Sequence, residues 1–117
     1  MKRYIRSSYD SVLSELQADL ISEIESSGYD TVLDKAEITG QYYEVAAYAV
    51  ADDNSRCRVY VGYSTYQYSD EQLESYGDAA KKPYSVLFNY GRKTRFYSHK
   101  EAFDFIKSGI QNPRNFR

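Results

Sequence analysis

Cys57 and His99 are the single thiol and the single imidazole in this 117-residue chain. Nucleophilic catalysis by a thiol needs a base within hydrogen-bond reach and a third group to orient that base. Cys57 sits between Arg56 and Arg58 just after a run of turn formers, and His99 follows Ser98 at a predicted helix start some forty residues later. The pattern favours an incidental strand cysteine and a helix-surface histidine over a small hydrolase using Cys57. Carboxylates are numerous, but none falls in the paired arrangement of a glycosidase. Asp52, Asp53 and Asn54 resemble part of a calcium loop without its glycine and closing glutamate, and so read as a turn. Six scattered glycines form no phosphate-binding loop, and one cysteine with one histidine cannot build a Cys/His zinc site or an intrachain disulfide. The sequence predicts no catalytic residue, no metal and no cofactor.

Binding chemistry is better represented. Fourteen residues are tyrosine and none is tryptophan. Tyrosine offers an aromatic body with a polar tip, suited both to a core and to an adaptable contact surface. In YGRKTRFY, residues 90–97, the cations Arg92, Lys93 and Arg95 are interleaved with Tyr90, Phe96 and Tyr97. Such a segment can hold phosphates and stack bases, which marks Arg92, Lys93, Arg95 and Tyr97 as a nucleic-acid-binding set. The competing reading is a polar hairpin turn flanked by core aromatics.

The net charge of −2 hides a division along the chain. Residues 1–55 hold eleven Asp/Glu against four Lys/Arg, and residues 56–117 hold six against eleven. Asymmetry of this kind bears on the partners a protein attracts.

These residues must be positioned by elements that the patterning outlines. Tyr9, Val12, Leu13, Leu16, Leu20 and Ile24 follow the three-and-four spacing of a helix over 8–27, capped by Ser7 or Ser8, with Asp10 at its positive end and Gly28 closing it. Its outer side carries Ser11, Ser14, Glu15, Ser22 and Glu25, flanked by the acids Asp19 and Glu23. Residues 29–40 show neither period and are left unassigned. Two Tyr/Val runs between 41 and 68, joined by Asp52–Ser55, predict an antiparallel hairpin. Ser69 and Gln72 form a capping box for a short helix ending near Gly77. A second hairpin follows, with Tyr84–Tyr90 and Thr94–Tyr97 as strands around Gly91–Lys93. Ser98 and Glu101 open a last helix, 98–108, stopped by Gly109 and Pro113. The expectation is one α+β domain over 1–117 with element order α-β-β-α-β-β-α: a four-stranded antiparallel sheet with two main helices on one face. The other face is then free for a partner, where Tyr60, Tyr66 and Tyr68 are expected to be exposed.

The basic opening MKRYIRSS, the tyrosine-rich hairpins and the ending FYSHKEAFDFIKSG resemble small proteins of bacteriophages and mobile elements from Gram-positive gut bacteria, a pool that includes anti-CRISPR proteins. The resemblance implies a short cytoplasmic protein that binds and occludes a larger bacterial enzyme such as a CRISPR effector nuclease. On this reading Glu15, Asp19, Glu23 and Glu25 supply charge contacts, and Tyr60, Tyr66 and Tyr68 supply anchors. Direct nucleic-acid binding through residues 90–97 is the alternative. No leader pattern or 18-residue apolar stretch is seen, so no membrane partner is expected, and the oligomeric state, including a homodimer, stays open.

Overall fold

The computed structural model describes residues 7–117, with side chains in the first helix from Ser11 onward. The basic opening and the parts assigned to Ser7, Ser8, Tyr9 and Asp10 lie outside the described residues and side chains. The chain folds as α1 (Ser7–Ser26), β1 (Asp30–Thr39), β2 (Tyr42–Val50), β3 (Arg56–Ser64), α2 (Asp70–Tyr76), a 3-10 turn (Gly77–Lys81), β4 (Tyr84–Phe88), β5 (Thr94–Phe96), α3 (His99–Ile110) and a closing 3-10 turn (Pro113–Asn115). Five antiparallel strands pair in sequence order, β1-β2-β3-β4-β5. The fold is α+β as expected, with one strand more than the sequence predicted.

The extra strand is β1, within the segment left unassigned. Its alternation is broken by a bulge between Leu33 and Lys35, so apolar residues on one side fall at Leu33, Ala36 and Ile38. Neither a period of two nor a period of 3.6 survives such a shift. The later boundaries also move. β3 ends at Ser64 rather than continuing to Tyr68, and β4 ends at Phe88 because Asn89 turns the backbone with a φ of 59°. Gly109 does not stop α3 but lies buried within it, where a side chain would run into the ring of Phe88.

Other local expectations match. Gly28 leaves α1 with a φ of 95° and donates its N–H to the Glu25 carbonyl. Ser69 accepts from the Gln72 N–H while Gln72 accepts from the Ser69 N–H, completing the capping box of α2. The Asp53 carboxylate accepts from the N–H and hydroxyl of Ser55, so the acidic cluster is a turn.

Both long helices cover the same side of the sheet. Leu16, Leu20 and Ile24 of α1 and Ala102, Phe103, Ile106 and Ile110 of α3 close over Val45, Ala47, Ala49, Cys57, Val59, Val61 and Val86. Among the described residues no helix is long and apolar enough to cross a membrane.

Candidate functional site

The side of the sheet opposite the helices carries the alternate residues of each strand: Tyr42, Glu44, Ala46 and Tyr48 on β2, Arg58, Tyr60 and Gly62 on β3, Ser85 on β4 and Arg95 on β5. At its centre Gly62 leaves room for three hydroxyls. A Cβ there would lie 2.8 Å from Ser85 Oγ, 2.8 Å from Tyr42 Oη and 3.0 Å from Tyr60 Oη. Tyr60 donates its hydroxyl to Glu44 at 2.5 Å, and Tyr42 and Ser85 share a hydrogen bond of 2.9 Å. Lys35 pairs with the far oxygen of Glu44 at 3.3 Å.

Lys93 reaches back from the β4–β5 turn over this cluster. Its ammonium lies 5.6 Å from the Tyr42 ring centroid, 5.4 Å from that of Tyr60 and 3.4 Å from Tyr42 Oη. Burial opposes ionisation of Tyr42, but the hydrogen bonds from Ser85 and Tyr60 and the charge of Lys93 outweigh it and hold the phenol below its ordinary pKa. Burial likewise opposes the charge on Glu44, and the hydrogen bonds from Tyr60 and Lys35 reverse the balance, leaving the carboxyl below its usual range. Tyr60 is pushed the other way by burial and by donating to Glu44.

Tyr60 is therefore not the exposed anchor that the alternation predicts. It is only 6% exposed, because Tyr42 and the Lys93 side chain cover it and its hydroxyl is consumed by Glu44. Tyr66 and Tyr68 lie beyond the end of β3, in the segment leading to α2. Their rings pack 4.6 Å apart, Tyr68 meets Tyr76 edge-on at 5.9 Å, and Tyr66 Oη is hydrogen-bonded to Gln72. Tyr68 and Tyr76 nevertheless join the basic hairpin, since with Ala79, Ala80 and Arg95 they line a shallow groove of about 330 Å³. Arg92 is exposed in the turn. Tyr97 donates to Asp78 at 2.6 Å, a bond that holds its pKa above the ordinary value, and its ring lies 4.9 Å from the Lys82 ammonium.

The acidic residues of α1 divide into two sets. Glu15 and Glu25 are exposed on the outer side with Ser11, Ser14 and Ser22, and Glu23 is half-buried on the flank. Asp19 faces α3, where its carboxylate meets His99 Nε2 at 2.8 Å. These two groups, with Val12, Glu15, Leu16, Tyr63 and Tyr84, border a cleft of about 210 Å³. His99 also stacks on Phe103 at 4.2 Å.

Cys57 is buried on the helix side of β3, and burial pushes its thiol up to about 11. His99 packs on Tyr84, the cross-strand partner of Tyr63. Cys57 and Tyr63 are six residues apart on one strand, roughly 20 Å at 3.3 Å per residue, so the thiol and the imidazole stand at opposite ends of β3 and do not form a pair. Among the described residues no group of three or more His, Cys, Asp or Glu is arranged to hold a metal ion.

The central cluster was not visible in sequence because its members come from positions 42, 44, 60, 62, 85 and 93. The signal that could have found it is the spacing of two that sets Tyr42 with Glu44 and Tyr60 with the small Gly62, on strands whose alternate positions include the aliphatic Val45, Ala47, Val59 and Val61. No family model, curated protein or solved structure matches this chain.

Proposed function

We propose that this chain is a non-enzymatic binding protein that occludes a larger bacterial nucleic-acid-processing enzyme, of the kind represented by a CRISPR effector nuclease, by presenting α1 to a basic channel. The observation that carries the reading is the uncompensated charge of that helix. Over the twenty residues of α1, about 30 Å of helix, Glu15, Glu23 and Glu25 have no cation within ion-pair distance among the described residues, and Asp19 has only His99. Its last turn carries no basic residue. A rod with Glu15 and Glu25 on its outer side and Glu23 on its flank is complementary to a lysine- and arginine-lined groove, and charge of this sort governs encounter rate and partner choice. The resemblance to phage and mobile-element proteins supplies the class of target, and the α1 surface supplies the means.

The test is affinity capture from a bacterial lysate, followed by purification of the captured protein and measurement of its nucleic-acid binding with and without this chain. The expected result is a partner whose nucleic-acid binding is suppressed by the wild type and restored when Glu15, Glu23 and Glu25 are reversed to lysine. A partner whose suppression is indifferent to those three reversals would remove α1 from the interface.

A further inference from the structure

We infer that the face of the sheet opposite α1 and α3 is a second binding surface, for single-stranded nucleic acid, and that the β4–β5 turn supplies its phosphate contacts. The face is built from cation–tyrosine pairs in succession. At one end Arg56 lies 5.7 Å from the Tyr48 ring centroid and Arg58 lies 5.3 Å from that of Tyr90, which is 82% exposed. In the middle Lys93 lies over Tyr42 and Tyr60. At the other end Arg95 shares its groove with Tyr68 and Tyr76, the latter 59% exposed. Tyr42 and Tyr48 are six residues apart on β2, about 20 Å. That length accepts at most about six nucleotides at the 3.4 Å spacing of a stacked strand.

Charge selects the occupant. The carboxylates Asp34, Glu37 and Glu44 on this side are each held by a cation, Asp34 by Arg58 at 2.9 Å and both glutamates by Lys35. Arg92, Lys93 and Arg95 have no carboxylate at ion-pair distance among the described residues, so three cations remain for an anionic ligand. Arginine and lysine among exposed aromatic rings match a ligand that alternates phosphates with flat bases, the pattern by which single strands are bound without sequence preference. A duplex hides its base faces and cannot use Tyr76 or Tyr90. The turn is held in place for this purpose: the Asn89 carboxamide oxygen accepts from the Arg58 N–H, and its nitrogen donates to the Asn115 carbonyl.

The surface is separate from α1, so the two proposals fail independently. The test is fluorescence anisotropy of the full chain with a labelled 15-residue oligo(dT), an oligo(rU) of the same length and a mixed-sequence duplex. Binding of the single strands with an affinity that falls about twentyfold for a fourfold rise in salt, as three phosphate contacts require, is the expected result. Tyr76→Ala and Tyr90→Ala, both at exposed positions, should each weaken binding about tenfold with the salt slope unchanged. Lys93→Ala with Arg95→Ala should flatten the slope, and Glu15→Lys with Glu25→Lys should leave the complex at least as tight. Equal or tighter binding of the duplex, or single-strand binding indifferent to the Lys93 and Arg95 changes in a variant that melts like the wild type, would overturn the inference.

Discussion

On the helix side of the sheet, Val45, Val59, Val61 and Val86 are buried by side chains from α1 and α3; on the other side the same strands bury Ala46, Tyr60 and Ser85 with no helix above them. The first side is closed by apolar volume, which is non-directional and scales with area removed from water. The second is closed by a directional arrangement of three hydroxyls, a carboxylate and a lysine around one glycine. A buried polar network of this kind contributes only while every member is satisfied, because a hydroxyl left without a partner in a low-dielectric setting is costly. The helix side therefore carries most of the stability, and the open side holds a few polar and aromatic groups in fixed positions where a ligand can reach them.

The sharpest way to break that comparison is at the helix side. Leu20, fully buried in α1, should cost about 2 to 5 kcal/mol when replaced by alanine, read as a lower urea midpoint with unchanged slope. A loss within error would mean that α1 is not part of the core. Gly62→Ala addresses the open side, where the new methyl meets three oxygens at 3.0 Å or less. The expected cost is about 1 to 3 kcal/mol, and because the strand backbone is ordinary at this position the cost reports crowding of the hydroxyls and not a lost conformation.

Tyr60→Phe is a finer probe. It removes the donor to Glu44 and should cost about 1 kcal/mol at neutral pH. Glu44 has a folded pKa below its unfolded value, so its contribution is complete above about pH 4.3 and is lost as pH falls through the lower folded value. Tyr60→Phe should shrink that acid-limb dependence in urea titrations across the range, whereas Leu20→Ala should lower stability evenly. Parallel loss at every pH in both variants would mean that the Tyr60–Glu44 bond does not hold the carboxyl down. The smallest effect is expected at the seam between the helices, where His99→Gln should change stability by less than about 1 kcal/mol, since both side chains of its pair with Asp19 are 47% exposed.

Legibility in sequence followed the same division. α1 and α3 were readable because Leu16, Leu20 and Ile24, and Ala102, Phe103, Ile106 and Ile110, repeat at the helical period, and the box of Ser69 and Gln72 marked α2. Patterns of that kind are local. The open side was not readable because burial there depends on cross-strand neighbours: Tyr60 alternates as a solvent-facing residue should, and only its meeting with Tyr42, Glu44 and Lys93 removes it from water. The basic hairpin was recognisable from its residue types, but its neighbours Tyr68 and Tyr76 come from a segment about twenty to thirty residues earlier and meet Arg95 only across the groove that the fold creates. Acidic α1 was legible as a face, yet the diversion of Asp19 toward His99 depends on how the two helices lie.

The bulge in β1 has a consequence for how this protein can be approached. A ten-residue strand at the border of a sheet offers a template on which a further strand, from this chain's copies or from another protein, could dock and propagate. The irregularity between Leu33 and Lys35 interrupts that template near its middle and turns Asp34 toward Arg58 and Lys35 toward Glu44, so two adjacent charged residues project from the same side of the border. An incoming strand would have to match a kinked backbone and a doublet of charge at once. The opposite border, β5, is three residues long and too short to nucleate such growth. Neither border is thus a long regular template for edge-to-edge strand addition, which leaves the broad face of the sheet as the larger contact surface.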